Sequence, residues 1–201
     1  MTTGLSPSTF DRLQLNAGVF LAGFDHSDIA DVAAMKTAIY AAIEDDSVCL
    51  GATRGGGSFQ CTPTMRGIEA DGKRSEFVGS MVNDGWTVKL TTTLLEATPA
   101  NFKRAFVAAD VVTNGNRTTV TPRTAITDED YIPKLCWVGD TSKGFVLIEL
   151  DNALNLTGAT FTFTDKGEGT LPVEFQAHQS DLLAQDTAPC RVIFLEDSAA
   201  E

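Results

Sequence analysis

The chain has 201 residues, of which 43% are hydrophobic, and a formal net charge of −12 at pH 7. This length suits one domain with a sizeable core. The net negative charge disfavours nucleic-acid binding through phosphate contacts. No apolar run approaches the roughly 20 residues of a membrane helix, and the cysteines and histidines lack the spacing of a zinc site. We therefore expect no membrane partner and no metal.

The N-terminal region is predicted to contain an extended arm followed by a helix. Residues 1–7 are small and polar, as in a tail, and residues 13–20 are apolar enough for an arm or a strand. We therefore interpret residues 1–20 as an N-terminal arm. Ser27 is predicted to cap a helix that continues to about Glu44 and covers the core. The apolar side of this helix is expected to consist of Ile29, Val32, Ala33, Ile39, Tyr40 and Ile43.

Residues 49–97 are predicted to form paired strands. The glycines at positions 55–57 predict a bulge in the first strand, and Asp71-Gly72 predicts a tight hairpin turn. The next strand alternates between two faces. The side chains predicted to face a core are Trp86, Val88, Leu90 and Leu94. Those predicted to face water or a polar partner are Thr87, Lys89, Thr91 and Thr93.

A short helix is predicted directly after this strand. Thr98 is a good N-cap residue, and Pro99 suits the first helical position because its missing N–H would be unpaired there. A narrow apolar stripe at helical spacing indicates that the helix lies on the sheet. The stripe consists of Phe102, Ala105, Phe106 and Ala109.

The second half of the chain is predicted to consist mainly of strands. Residues 111–121 form a strand with a turn at Asn114-Gly115, and residues 145–150 are apolar on both faces, as in a buried strand. Residues 160–164 and 171–177 alternate strictly, and residues 190–195 form a last short strand. The predicted fold is mainly β, with two packed antiparallel sheets (a β-sandwich or partial barrel) and one or two flanking helices. We expect a single domain over residues 1–201.

No motif in the sequence indicates catalysis. Residues 55–58 lack the Lys-Ser/Thr ending of a phosphate-binding loop. Glu69, Asp71 and Glu76 flank a turn, where solvation explains them better than glycoside hydrolysis does. His178 and Ser180 lack the motif that surrounds a serine nucleophile. We therefore expect neither an enzyme nor a cofactor.

Several segments spread over most of the chain share a recognisable pattern of strands and junctions. They include Leu94-Leu95-Glu96-Ala97-Thr98-Pro99, which joins a strand to a helix, and Tyr131-Ile132-Pro133-Lys134-Leu135-Cys136-Trp137-Val138-Gly139. The others are residues 10–20, residues 50–56, the Asp71-Gly72 turn and residues 165–178. Together they resemble the tail tube (major tail) proteins of long-tailed bacteriophages.

This resemblance implies the tail-tube fold and a structural role. Copies of such a protein form hexameric rings that stack into the hollow tail, and inner strands from all six subunits close into one β-barrel. The tube holds the tape-measure protein, meets tail terminator and tip proteins, and conducts DNA without binding it specifically. The resemblance thus places the protein in the virion tail, after assembly in the host bacterial cytoplasm.

The same resemblance implies which residues face the channel and which join the rings. The expected lumen-facing side chains are Ser58, Gln60, Thr62, Lys89, Thr91, Thr93 and Gln176. The expected inter-ring contact is the hairpin tip Asp71, Gly72, Lys73 and Arg74, with the N-terminal arm as a second candidate. Because a basic wall would bind DNA, we expect a net negative or neutral channel in which Lys89 is a local exception.

Two alternative functions are also compatible with the sequence. One is the inner tube of a contractile or secretion-type injection system, where the ring is alike but the cargo differs. The other is a ligand-binding β-sandwich protein, which predicts a deep pocket with converging polar groups in a monomer.

Overall fold

The computed structural model describes residues 4, 9, 13–181 and 186–197. Within these ranges the chain is mainly β, with a seven-stranded sheet, a two-stranded hairpin and two short helices, as the sequence predicts in outline. The helices are α1 (Val32–Ile43) and α2 (Pro99–Ala105), and a 3₁₀ turn spans Asp128–Asp130. The strands are β1 (Val19–Ala22), β2 (Thr53–Gly67), β3 (Met81–Leu94), β4 (Ala109–Asn114), β5 (Arg117–Pro122), β6 (Ile132–Thr141), β7 (Gly144–Asn155), β8 (Leu171–Gln176) and β9 (Cys190–Glu196).

The predicted N-terminal arm is described only in part. Apart from Gly4, the predicted tail at residues 1–7 lies outside the described residues, as do residues 10–12. The end of the predicted arm belongs to the sheet, because Val19 and Phe20 begin β1 and pair with Val138 and Trp137 of β6.

The large sheet is antiparallel and runs in the order β1-β6-β7-β8-β3-β2, with β9 also paired to β7. Strand β7 pairs with β6 on one side. On its other side it pairs with β9 along residues 144–150 and with β8 at Leu154 and Asn155. Strand β7 therefore joins a first half of the sheet (β1, β6, β7 and β9) to a second half (β2, β3 and β8). Among the described strands, β1 pairs only with β6 and β2 only with β3, so these strands do not close into a barrel.

Both halves of the sheet contribute side chains to one hydrophobic core. Its largest members come from β1, β3, β6, β7 and β8, since alternate residues on each strand point to the same face. They are Phe20, Val88, Leu90, Leu94, Leu135, Leu150, Leu171, Val173 and Phe175. Full burial of one such side chain stabilises the fold by about 2 kcal/mol, so this shared core holds the two halves together.

Helix α1 covers the other face of the first half of the sheet. Met35 and Ile39 are buried in a second cluster against Leu21, Cys136 and Leu147 of the strands beneath. The predicted apolar side of the helix is partly wrong, because Tyr40 is 60% exposed and Ile43 is 42% exposed. The buried stripe consists of Met35, Ile39 and Ala42 instead.

The predicted start of α1 at Ser27 is also wrong. Asp31 is the N-cap residue, and its Oδ2 accepts a hydrogen bond of 3.0 Å from the Ala34 backbone N–H. The Ser27 hydroxyl donates to Asp25 Oδ1 instead, at 2.7 Å. A carboxylate at the N-cap satisfies a free helix N–H, so the helix begins one turn later than the sequence suggests.

The predicted start of α2 at Thr98 is confirmed. The Thr98 hydroxyl accepts from the Asn101 backbone N–H at 3.2 Å, and Pro99 is the first helical residue. The Asn101 side chain, only 1% exposed, donates to Leu50 O at 2.9 Å and to Glu96 O at 3.0 Å. This side chain therefore ties the helix to the segments that enter β2 and leave β3.

The predicted strand at residues 160–164 is wrong. This segment makes a single bridge, between Thr162 and Thr170, rather than a ladder. Phe161 packs edge-on against Phe102 of α2, with ring centroids 5.5 Å apart, whereas Phe163 is 78% exposed. Among the described residues, no helix is long and apolar enough to cross a membrane.

Candidate assembly interface

The outward face of the second half of the sheet is polar. On β3, Val88 and Leu90 point into the core, so the residues between them point away from it. The register then aligns the outward residues of β2 and β8 with those of β3. We call this surface the polar face, and it consists of Ser58, Gln60, Thr62, Thr87, Lys89, Thr91, Thr93, Pro172, Glu174 and Gln176. The structure thus brings all of the predicted lumen-facing residues onto one surface.

Side chains on the polar face form hydrogen bonds and an ion pair with one another. The hydroxyls of Ser58 and Thr91, directly opposite on β2 and β3, lie 2.6 Å apart. Lys89 Nζ donates to Glu174 Oε1 across β3 and β8 at 2.7 Å. Lys89 and Glu174 are the charged members of the polar face, so their charges balance.

The β2–β3 hairpin extends well beyond the core. We call residues 63–86 the hairpin arm, which contains the distal parts of both strands and the loop 68–80. Most of its residues are exposed, in contrast to Val88, Leu90 and Leu94 further along β3. Its exposed large apolar side chains are Met65, Ile68, Phe77, Val78, Met81 and Trp86. A concentration of exposed apolar groups at one site is typical of an interaction surface.

The predicted inter-ring residues lie in the loop at the end of this arm. Asp71 and Gly72 form a turn, with Gly72 at φ 83°. The prediction of a tight hairpin turn is wrong, because the strands end at the pair Gly67–Met81 and leave the wider loop 68–80 between them. The Lys73 N–H bonds Ala70 O across this Asp71-Gly72 turn, and a second turn is closed by the Ser80 N–H, which bonds Phe77 O.

Polar contacts fix the shape of this loop. Lys73 Nζ donates to Ile68 O and to Glu76 Oε2, both at 2.7 Å, and Ser80 Oγ donates to the same carboxylate oxygen at 2.6 Å. The hydrogen bonds from Lys73 and Ser80 lower the pKa of Glu76. The Lys73 side chain is only 14% exposed, so it stabilises the loop itself and leaves Asp71, Gly72 and Arg74 at the surface.

The predicted bulge in β2 is confirmed. The β2–β3 register shifts between Thr53 and Gly57, and Gly55 and Gly56 have positive φ angles of 74° and 72°. Thr92 Oγ1 donates to Gly56 O at 2.8 Å, which holds the bulge against β3. A strand follows these glycines instead of the helix of a phosphate-binding loop.

A groove of about 480 Å³ lies beside this bulge. It is lined by Gly57, Phe59, Phe20 and Trp137, among others, and none of the described residues that line it is charged. Its polar side chains are the uncharged Gln14, Asn16 and Ser58.

His178 and Glu76, which were considered at the sequence level, both make local contacts. His178 Nδ1 lies 3.2 Å from Asn152 O, and its ring packs edge-on against Tyr131 with centroids 5.3 Å apart. Glu76 is bound within the loop of the hairpin arm, as described above. Both side chains therefore have partners within the chain.

A buried polar cluster under α1 was not predicted from the sequence. Glu149, only 2% exposed, accepts from His26 Nε2 at 2.8 Å and forms an ion pair of 2.8 Å with Arg191. Cys136 lies beside them, and the ligand atoms of His26, Cys136 and Glu149 are within 4.8 Å of one another. Burial raises the pKa of Cys136 to about 12. Both carboxylate oxygens of Glu149 therefore have partners, Oε2 with His26 and Oε1 with Arg191.

No protein-family model matches this sequence, and no curated protein matches it either. Functional inference consequently depends on the two surfaces just described, the polar face and the hairpin arm.

Proposed function

We propose that this chain is the structural protomer of a phage tail tube, in which hexameric rings stack into a channel for genome delivery. The observation that carries the proposal is the hairpin arm. Its strands continue past the core, and its loop exposes apolar side chains such as Phe77, which is 62% exposed. Exposed apolar groups gathered at one site mark an interaction surface, and an assembly would bury them against a neighbouring subunit.

The open edges of the sheet support ring formation. Strand β2 pairs only with β3 among the described strands, so its other edge carries free backbone donors and acceptors. Joining strands from neighbouring subunits into a closed barrel removes such edges. In this proposal, the second half of the sheet forms part of the barrel.

The polar face supports the assignment of the channel wall. It consists of short or neutral side chains, and its only lysine, Lys89, is neutralised by Glu174 at 2.7 Å. DNA binds basic surfaces through release of counterions, so a wall without free cations lets it pass. Because Lys89 is paired in this way, it is not the isolated positive charge that the sequence analysis expected in the channel wall.

The layers of the molecule support an orientation within the tube. The polar face and α1 lie on opposite sides, separated by both halves of the sheet and by the shared core. If the polar face lines the channel, α1 lies on the outer side of the tube. The finer fold assignment, two packed sheets of the tail-tube type with a flanking helix, belongs to this proposal.

The partners and location follow from the same proposal. The chain would bind copies of itself, the tape-measure protein and the terminator and tip proteins, and it would reside in the virion tail. A structural role of this kind involves no reaction. The inner tube of a contractile or secretion-type injection system would use the same ring, and a sheath gene beside this one would favour that alternative.

Size-exclusion chromatography with light scattering over a concentration series tests the assembly directly. We expect the mass to rise in multiples of the 21.4 kDa chain, and negative-stain electron microscopy should then show rings or tubes. A strict monomer at all concentrations, with no rings, would contradict the proposal and favour the ligand-binding alternative.

A further inference from the structure

Two of the four cysteines face each other across the core. Cys61 on β2 and Cys190 at the start of β9 are 129 residues apart in sequence, yet their sulfur atoms are 4.0 Å apart. Both residues are half-buried and carry free thiols. Because they belong to different halves of the sheet, this contact connects the two halves.

The course of β2 explains how the two thiols meet. Gly57 lies over β1, since a Cβ atom at Gly57 would come within 2.9 Å of the Phe20 ring. Further along β2, Cys61 pairs with the core residue Val88 and therefore points inward, where it reaches β9. Strand β2 thus crosses the first half of the sheet from β1 to β9, and the alternation of its side chains directs Cys61 toward Cys190.

The remaining cysteines lie in separate environments. Cys136 is fully buried, and its thiol approaches Phe24 O at 3.8 Å. Cys49 Sγ accepts a hydrogen bond of 3.3 Å from the Gly51 backbone N–H. Neither is in contact with the facing pair, so Cys61 and Cys190 are the thiols placed to react with each other.

We propose that Cys61 and Cys190 are a redox site that closes to an intramolecular disulfide when a low-molecular-weight disulfide is available as the oxidant. One thiol, as its thiolate, attacks the oxidant and releases one reduced thiol. The second then displaces the other half of the oxidant, so one S–S bond forms while two protons and two electrons leave the protein. Rotation of the side chains must shorten the sulfur–sulfur distance from 4.0 Å to about 2.05 Å.

The bond would tie the base of the hairpin arm to β9. Thr62 follows Cys61 directly, and the arm begins at the next residue. A cross-link that closes so long a stretch of chain restricts the unfolded ensemble strongly, and therefore stabilises the folded state. Burial and the neighbouring Cys61 raise the pKa of Cys190 to about 11, so we expect closure to be slow at neutral pH and faster in alkaline solution.

The first test uses the full chain incubated with oxidised glutathione at about pH 8.5. Titration with a thiol reagent after denaturation should show a fall from four free thiols to two. Peptide mapping without reductant should identify the Cys61–Cys190 link, and the thermal midpoint should rise by on the order of 5 °C. Persistence of four thiols, stable glutathione adducts or a link between other cysteines would overturn the proposal.

Serine variants give matched controls. Cys61→Ser and Cys190→Ser should each abolish the rise in midpoint, whereas Cys49→Ser should retain it, because a serine hydroxyl still accepts from Gly51. Circular dichroism of the reduced variants checks that they fold, and Cys61→Ala replaces any serine variant that does not. A midpoint that rises equally in Cys61→Ser or Cys61→Ala would contradict the proposal. None of these measurements depends on tube assembly, so their outcome is separate from that of the proposed function.

Discussion

Strands β2 and β3 are paired along most of their length, but their two ends differ in what they bury. At the base of the hairpin, Val88 and Leu94 are fully buried in the core shared by both halves of the sheet. In the hairpin arm, the same strands expose Met65 and Met81, and most residues of the loop 68–80 are exposed as well. Backbone pairing alone therefore does not show where stability comes from. The base of the hairpin stabilises the monomer, and we infer that the arm is available for association.

The largest expected effect comes from removing the end of the arm. Replacement of residues 69–79 by Asn-Gly keeps Ile68 and Ser80, whose backbone hydrogen bond of 2.8 Å closes the loop, and supplies a two-residue turn. We expect an unchanged fold but no tube growth, measured by circular dichroism and by electron microscopy. Normal tubes from this variant would contradict a stacking role for Asp71, Gly72 and Arg74.

A large effect on stability is expected from Leu90→Ala at the base of the hairpin. Leu90 is 2% exposed, and its truncation leaves a cavity that costs about 3 kcal/mol of unfolding free energy. The matched change in the arm is Met81→Ala, where the side chain is 46% exposed and the expected cost is below about 0.5 kcal/mol. Urea unfolding measures both, and equal losses would show that the arm is packed in the monomer.

A smaller loss of unfolding free energy is expected from Asn101→Ala. The substitution leaves the carbonyls of Leu50 and Glu96 without their side-chain donor, which costs about 2 kcal/mol because the site is buried. Asn83 in the arm, an exposed residue whose side chain accepts from Gly85 N–H at 3.1 Å, provides the control. Thermal unfolding should show little change for Asn83→Ala, and a large loss there would contradict the contrast between the two regions.

The smallest expected effect is that of Glu174→Gln on the polar face. Lys89 and Glu174 are each 32% exposed, so loss of their ion pair should cost about 0.5 kcal/mol, and less at high salt. Unfolding of the variant and the wild type at low and high ionic strength measures the difference. Glu168→Gln, which breaks the more exposed pair with Arg54, should cost less still. A salt-independent loss at Glu174 would indicate that it has a packing role instead.

Local signals in the sequence predicted several elements correctly. Thr98 and Pro99 marked the start of α2, and the alternation at residues 171–177 predicted β8, because both patterns depend on neighbouring residues alone. The strand predicted at residues 160–164 failed for the opposite reason. A strand needs a partner, and alternation around Phe161 does not reveal that the segment forms only a single bridge, through Thr162.

Alternation in the sequence predicted the polar side of β3, and the resemblance supplied the other residues of the polar face, whereas neither predicted the buried polar groups. Residues such as Gln60, Lys89 and Gln176 are aligned by the alternation and register of regular strands. Glu149 is hidden in an apolar run, and its partner His26 is 123 residues away. Contacts between distant positions leave no local pattern, and the facing thiols of Cys61 and Cys190 were missed for the same reason.

A cryo-electron microscopy reconstruction of the assembled protein tests the central claim, that the polar face lines a channel, most directly. We expect Ser58, Gln60, Thr91 and Gln176 to face the axis, with Lys89 paired to Glu174 and α1 on the outer side. A channel lined by α1, or a continuous lining of lysine and arginine side chains, would contradict this account even if the rings themselves were observed.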